Sequence, residues 1–452
     1  MKKNYEIDMC NGPITGKMLR FALPLMLSSM LQLLFNAADI ITVGKFGSEH
    51  SLAAVGSNTA LINLLTNLFI GLSIGANVLV ARFYGAKNGE ELNETVHTAM
   101  LLSLISGLIL TVIGVIFARY FLIWMKTPAE ILDLATTYLK IYFLGMPAMM
   151  IYNFGSAILR AIGDTKRPLY FLAAAGVINI ILNILLVVVF RLDVKGVGIA
   201  TVISQTVSAI LIIRCLAKSN GDIKLELKKL RFSRGKIGAI LRIGLPAGLQ
   251  GSIFSLSNVV IQSSVNIFGP VVVKGNSAAQ NLEGFVYFSM NAFHHATLSF
   301  TSQNMGAKKY DRLGKILKNG LCLAILFGAG FGGTVILFGR NLLSIYTNDG
   351  AAISAGMTRL YIITGTYTLC GIMDVMVGAI RGIGYTVLPT IVSLIGACAL
   401  RLVWLATVFR IPKFHTINTV YLSYPITWLV TIIAHVICYI IIRKKNRFGE
   451  MQ

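Results

Sequence analysis

Residues 18–44 read MLRFALPLMLSSMLQLLFNAADIITVG, a long apolar run that carries one carboxylate, Asp39, near its end. About 20 apolar residues in an α-helix cross the core of a bilayer, so this run is long enough to span a membrane. A charged side chain at the membrane centre costs about 2.5–3.5 kcal/mol on insertion scales. The run therefore predicts a membrane span whose single acid has a functional role.

The rest of the chain has the composition of an integral membrane protein. Of its 452 residues 55% are hydrophobic and 13% are charged, whereas about 25% are charged in an ordinary soluble domain. Twelve long apolar runs are separated by polar or Gly/Pro-marked breaks, and all should be helices because an open sheet would leave backbone groups unpaired in lipid. These predicted spans 1–12 cover residues 17–44, 52–81, 95–118, 134–158, 168–190, 196–217, 238–268, 276–304, 315–339, 355–379, 388–409 and 420–442.

The basic residues predict the orientation of the chain. Most of the 40 Lys and Arg side chains fall in the two tails and in alternate loops, so the positive-inside rule puts both termini in the cytoplasm. The longest polar segment, AKSNGDIKLELKKLRFSRGK, divides the chain into an N-terminal lobe (1–216), a basic linker (217–237) and a C-terminal lobe (238–452). The linker is expected to lie on anionic membrane lipids. A nucleic-acid partner is not expected, because no aromatic residues are interleaved with its charges.

The two halves repeat one another. LRFALP (19–24) recurs as LRIGLP (241–246), YGAKN (84–88) as MGAKK (305–309), and LRAIGDTKRP (159–168) as IRGIGYTVLP (380–389), in the same order and at a nearly constant offset. Because each half has six spans, the halves are parallel repeats related by an axis along the membrane normal. Two such bundles can enclose a cavity that opens to either side, which is the architecture of an alternating-access transporter.

Polar residues on three spans predict a cation-coupling site around Asp39. Asn36 lies three residues earlier on the same helical face, and Asn179 and Asn183 share a face of span 5. With Thr201 on span 6 they could form an oxygen-lined pocket in which Asp39 takes up a proton or binds a sodium ion. The alternative is that these amides and hydroxyls only pack helices together through hydrogen bonds.

The second half carries two acids of its own, Glu283 on span 8 and Asp374 on span 10. We expect them to contact a cationic substrate, unless a base such as Arg401, taken as the one basic side chain well inside a span, holds one of them in a structural pair. The residue that matches Asp39 in the repeat is Ile261. Ion chemistry of the Asp39 type is therefore expected in the N-terminal lobe alone.

Other residues inside the spans suggest an adaptable substrate cavity. Gln32 lies one turn before Asn36, and Met290 and Tyr152 belong to a set of methionines and aromatic residues that can repack around hydrophobic cations. Pro24 and Pro246 remove helix hydrogen bonds inside spans 1 and 7, so these helices are candidates for bending.

Two further groups have weaker implications. His294, His295 and His435 could join a proton relay, although a packing role is more usual for such residues. Pro147 marks a third candidate bend, in span 4.

No Walker, HExxH or GxSxG motif occurs, so we expect neither an enzyme nor a cofactor.

Four segments resemble the multidrug and toxic compound extrusion (MATE) family, bacterial type: NAADIITVGKFG in span 1, NIILNILLVVVF in span 5, GVGIATVISQ at the start of span 6 and NAFHHATLSFTSQNMGAKK at the end of span 8. The resemblance implies a two-lobed fold of twelve helices and a secondary antiporter. Such an antiporter exports small amphipathic organic cations across the bacterial cytoplasmic membrane, in exchange for H⁺ or Na⁺. We also expect the chain to function as a monomer.

The resemblance also assigns roles to single residues. The acid of the family's first helix corresponds to Asp39, its hydroxyl on span 6 to Thr201, and its bending proline to Pro24. The family's asparagine and aspartate on span 5 correspond to Asn179 and Asn183, so an amide replaces the second acid. The rival function is a lipid-linked oligosaccharide flippase of similar architecture, which would need several basic residues in its cavity.

Overall fold

The computed structural model describes residues 5–48 and 50–445, and this part of the chain is built from α-helices with short 3-10 and π segments. Ten of its helices are long and apolar enough to cross a membrane. An eleventh span is formed by Ala129–Leu144 and Met146–Ala161, which meet at 47°. The twelfth, Pro270–Gly306, has 37 residues and is less apolar, because it carries several buried polar side chains.

Twelve spans thus follow one another in the described residues, which confirms the predicted all-α membrane fold. Their bounds are Ile14–Phe46, Ser51–Gly85, Gly89–Trp124, Ala129–Leu144 with Met146–Ala161, Lys166–Val189, Asp193–Ala217, Arg234–Asn266, Pro270–Gly306, Asp311–Leu337, Gly350–Ile383, Val387–Arg410 and Ile417–Lys445. A short helix, Gly339–Ser344, lies between spans 9 and 10.

The three prolines expected to bend helices behave differently. Span 4 is broken at Gly145, and Pro147 lies in the first turn of its second piece, where a missing N–H costs no helix hydrogen bond. Spans 1 and 7 continue as helices through Pro24 and Pro246. The prolines alone therefore do not break spans 1 and 7.

The described chain forms two compact units, and the division between them passes through two helices. The N-terminal unit comprises the residues up to Asp8 together with Leu27–Ser252, and the C-terminal unit comprises Met9–Met26 and the residues from Ile253 onwards. Span 1 therefore begins in the C-terminal unit and ends in the N-terminal unit, whereas span 7 begins in the N-terminal unit and ends in the C-terminal one.

Close glycine contacts explain why the first half of span 7 belongs to the N-terminal unit. Gly71 and Gly75 of span 2 face Gly244 and Gly248 of span 7, and a Cβ added at Gly71 would lie 2.2 Å from the Gly248 nitrogen. Small residues four apart on both helices let the two backbones approach closely, as is common in membrane proteins.

The repeated sequence motifs adopt the same backbone conformation in both halves. Gly163 and Gly384, which match in the motifs LRAIGD and IRGIGY, have φ of 95° and 116°. Lys87 and Lys308, which match in YGAKN and MGAKK, have φ of 54° and 56°. A residue with positive φ often ends a helix. The matching φ values therefore indicate that the repeated motifs form two pairs of equivalent helix ends, one pair with glycine, which adopts positive φ without strain.

The basic linker packs on the cytoplasm-facing end predicted for span 3. It contains the 3-10 turns Gly221–Ile223 and Leu227–Lys229. Asn93 donates to the Asp222 carbonyl at 2.9 Å, and the Glu226 N–H donates to Nε2 of His97 at 3.0 Å. These contacts make the linker an ordered part of the N-terminal unit.

Candidate functional site

The acid of span 1 meets span 5 through an amide. The side-chain nitrogen of Asn183 donates to the Asp39 carboxylate and also to Oδ1 of Asn179, at 3.1 Å. Asn183 is 1% exposed and Asn179 is 5% exposed, whereas Asp39 is partly exposed. The structure thus brings together the three residues that the sequence had suggested as neighbours. Their coupling role remains a prediction.

Two features leave this cluster able to accept a cation. None of the ion pairs in the described part of the chain includes Asp39. The buried carbonyl oxygen of the Asn183 amide has no hydrogen-bond partner among the described residues, although buried acceptors are usually paired. A carboxylate and amide oxygens are suitable ligands for a hard monovalent cation, and a carboxylate alone can take a proton.

The local shape of span 5 holds the cluster against span 1. At Gly176 an added Cβ would lie 1.8 Å from the ring of Phe35, so the absence of a side chain lets the two helices meet one turn before Asn179. Directly after Asn183 the helix widens into a π segment, Ile184–Val189. Such segments often occur at functional sites because they change the direction of neighbouring side chains.

Two tyrosines of span 4 also lie near Asp39. Tyr138 and Tyr142 are within electrostatic range of its carboxylate, and their ring centroids are 5.9 Å apart. Sequence reasoning did not find them. Their spacing of four residues on one helix face was the available signal.

The other residues predicted for the coupling site stand apart from this contact. Asn36 and Gln32 are exposed on span 1. Thr201 donates to the Val197 carbonyl of its own helix at 2.9 Å, and none of its described contacts reaches Asp39. The described hydrogen bond to the acid therefore comes from span 5.

Glu283 has a different environment, because a base holds both of its oxygens. Arg359 donates from Nε to Oε1 at 2.9 Å and from Nη2 to Oε2 at 2.7 Å. Its Nη1 donates to Asn276 at 2.8 Å, and Tyr421 donates to the same amide oxygen at 3.2 Å. The base expected for such a pair was Arg401, and this expectation is corrected: Arg359 on span 10 is the partner, and it too is buried, at 3% exposure.

Among the described residues, Arg401 and Asp374 are each outside any ion pair. Arg401 is 5% exposed and donates to the hydroxyl of Thr427 at 3.1 Å, and its guanidinium lies over the ring of Tyr424, 4.0 Å from the centroid. Asp374 is partly exposed, and its backbone carbonyl contacts His294 Nδ1 at 2.7 Å. Neither residue has an ion-pair partner within 4.0 Å in the described chain.

The predicted cavity residues Met290 and Tyr152 have local packing contacts. Met290 is 1% exposed, and its sulfur lies against Gly328 and Gly371. Tyr152 donates its hydroxyl proton to the Pro168 carbonyl at 3.0 Å. These contacts suit a structural role, and a substrate role for either residue remains a prediction.

The histidines of spans 8 and 12 have separate described contacts. His435 is fully buried and contacts Ser393 at 3.1 Å. The rings of His294 and His295 are neighbours, with centroids 5.1 Å apart. In residues 5–48 and 50–445 no three His, Cys, Asp or Glu side chains gather in a way that could hold a metal ion.

Comparisons with known proteins extend these observations. The MatE family model matches residues 24–185 and 246–407, one match in each half of the chain. The probable multidrug resistance protein YoeA of Bacillus subtilis is 27% identical over 438 residues, which are 95% of this chain and 94% of the relative. The FAD transporter of Shewanella oneidensis is 24% identical over 445 residues, 96% of either chain.

A solved structure has the same fold. The outward-facing conformation of a multidrug resistance MATE family transporter of the MOP superfamily superposes with a TM-score of 0.90, at 21% identity, and covers 100% of both chains. The double match of the family model coincides with the internal repeat. The chain therefore belongs to the MatE family, the multidrug and toxic compound extrusion transporters.

Proposed function

We propose that this chain is a secondary antiporter. It exports amphipathic, mainly cationic organic compounds across the bacterial cytoplasmic membrane in exchange for protons or sodium ions, by alternating access and with both termini in the cytoplasm. Membership of the MatE family and the name of YoeA as a multidrug resistance protein support this activity. The name of the Shewanella relative, FAD transporter, suggests that the substrates of this fold also include molecules with negative groups.

The observation that carries the proposal is the Asp39–Asn183 contact. Asp39 is an acid inside a membrane span that is held by an amide donor and not by a base. Its charge is therefore free to change, since neither protonation nor cation binding would break an ion pair. The same acid would be locked in the ionised state if a guanidinium held it, as Arg359 holds Glu283.

The energetics suggest how such an acid couples two fluxes. An ionised carboxylate inside the membrane is costly, and a bound proton or sodium ion removes that cost. A cation entering down its gradient neutralises Asp39, and the neutral site reorients more easily than the charged one. The free oxygen of Asn183 and the Asn179 amide would complete a sodium site, whereas protonation requires the carboxylate alone.

The test is dye transport in proteoliposomes under imposed proton or sodium gradients. The ethyl ester of rhodamine B is a suitable amphipathic cation. Wild-type protein should move it against its gradient, and Asp39→Asn should lower the rate at least a hundredfold. The matched control is Asp133→Asn, because that acid lies in the same unit but its side chain is 84% exposed. Equal loss in both variants, or none in Asp39→Asn, would contradict the proposal.

The rival function, a flippase for lipid-linked oligosaccharides, needs several bases for a pyrophosphate group. Arg359, Arg381 and Arg401 are all buried in the C-terminal unit. Arg359 is already neutralised by Glu283. The pair with Glu283 leaves fewer bases for such a group, which favours the antiporter.

A further inference from the structure

Arg401 is a buried cation whose hydrogen-bonding capacity is largely unused. A guanidinium is always charged and has five N–H donors in a planar fork. The described contacts of Arg401 include one hydrogen bond, to Thr427, and its Nε is buried without a partner. The ring of Tyr424 faces the cation and compensates part of its desolvation. It supplies no negative charge.

Arg359, in the same unit, is a buried arginine whose hydrogen bonds and charge are both compensated. Its Nε, Nη1 and Nη2 all donate, and Glu283 supplies the counter-charge. Arg401 has the same burial without the acid. A carboxylate on a bound molecule would complete its environment in the same fork geometry.

The surroundings of Arg401 are aromatic. The ring centroids of Tyr424 and Trp428 are 5.6 Å apart, those of Tyr367 and Trp428 are 5.3 Å apart, and those of Tyr287 and Tyr367 are 6.4 Å apart. Tyr287 and Tyr367 are partly exposed, so the cluster has an open edge. Flat aromatic molecules stack on such surfaces.

Asp374 belongs to the same region. It lies seven residues after Tyr367 and four after Cys370, on one face of span 10. Asp374 and Arg401 are both within electrostatic range of the Cys370 thiol, yet they form no ion pair with each other. Arg381, the base in range of Asp374, donates to Thr390 at 3.2 Å. The cluster thus presents a negative and a positive side chain that do not neutralise one another.

We propose that this cluster is a subsite for zwitterionic aromatic compounds. Arg401 binds the carboxylate, Asp374 faces the cationic group, and the rings of Tyr367, Tyr424 and Trp428 hold the aromatic body. The inference rests on the proposed export function and adds to its substrate class aromatic solutes that carry both charges.

A pair of dyes tests the subsite, because rhodamine B carries a carboxylate and a cationic xanthene, whereas its ethyl ester has only the cation. In proteoliposomes, Arg401→Gln should lower gradient-driven transport of rhodamine B at least tenfold and change transport of the ester less than twofold. Asp374→Asn should slow both dyes. The control is Arg410→Gln, an exposed arginine at the end of the same span, which should change neither dye.

Two results would overturn the subsite: equal effects of Arg401→Gln on both dyes, or no effect on rhodamine B. If Arg401→Gln does not fold, binding to the wild-type protein decides the question through quenching of tryptophan fluorescence. Rhodamine B should bind at least tenfold more tightly than the ester, and equal affinities would contradict the proposal. Failure of wild-type protein to move either dye would instead refute the proposed export function, and the binding comparison would still decide the subsite.

Discussion

Each unit has an acid inside a membrane helix, Asp39 in one and Glu283 in the other, and the partners of the two acids differ. In the N-terminal unit Asp39 contacts an amide, Asn183, and is in no ion pair of the described chain. In the C-terminal unit Glu283 is held at both oxygens by Arg359. The first arrangement permits the charge to change, whereas the second fixes it.

The difference shows that the two halves of an internal repeat can keep the same backbone conformation while their functional side chains differ. Matching helix ends keep the same positive φ values in both halves. The residue that matches Asp39 is Ile261, which is 2% exposed in an apolar cluster. One unit is therefore expected to carry the coupling chemistry. The acid–base pair of the other unit is expected to contribute to stability.

Breaking the Glu283–Arg359 pair should have the largest effect on stability. Glu283→Gln or Arg359→Met leaves one buried charge without its partner, and we expect a loss of about 3–5 kcal/mol in the free energy of unfolding. Denaturant unfolding of the purified protein in detergent measures it. The double variant Glu283→Met/Arg359→Met should recover most of this loss, because both charges are gone.

The same variants sharpen the comparison with Asp39. The double variant should retain gradient-driven transport of the ethyl ester of rhodamine B. If it folds and yet has lost transport to the same extent as Asp39→Asn, the assignment of different roles to the two acids is wrong.

Removal of the donor to Asp39 should have the next largest effect. Asn183→Leu deletes a hydrogen bond to a carboxylate, which is worth about 1.5–3 kcal/mol, so transport should fall roughly ten- to hundredfold. Initial rates of dye transport measure this loss. Asn153→Leu is a control, since that amide donates within its own helix to Met149. Full activity of Asn183→Leu would exclude a positioning role for the amide.

Gly176→Ala tests how closely spans 1 and 5 must approach. The new methyl group would collide with the Phe35 ring, and overpacking of this kind costs about 1–3 kcal/mol. Transport should fall together with stability, and the second substitution Phe35→Leu should restore both. A Gly176→Ala variant with wild-type stability and transport would show that the helices can separate without consequence.

The smallest effect is expected at the repeated helix ends. Gly384→Ala places a side chain at φ 116° and should cost about 1–2 kcal/mol of stability without changing transport per folded molecule. Gly163→Ala should cost more, because its Cβ would also lie 2.5 Å from the Ile7 carbonyl. Gly333→Ala, in a helix with open space around it, should be neutral or slightly stabilising. Equal costs at all three glycines would contradict this account.

The sequence was sufficient for the fold because membrane spans and repeats are local patterns. Apolar length defined the twelve spans, and the motifs around Gly163 and Gly384 revealed the repeat. The turn Thr364–Thr366 and the π segments of spans 5 and 11 were not predicted, because these irregularities depend on packing and leave no clear mark in hydropathy.

Part of the site could also be predicted from the sequence. The spacing of Asn179 and Asn183 placed both amides on one helix face, and an acid in span 1 was conspicuous. The partner of Glu283 was missed because the contact between spans 8 and 10 depends on how these helices pack, which spacing along the chain does not reveal. Arg359 lay inside a predicted span, and that was the available signal.

The central claim is that Asp39 carries the coupling cation, and cation release on substrate binding tests it most directly. A pH indicator and a sodium electrode would follow purified protein in detergent as the ethyl ester of rhodamine B is added. Wild-type protein should release about one proton or sodium ion per dye bound, as expected for one carboxylate, and Asp39→Asn should bind the dye and release none. Equal release by both proteins would contradict the account.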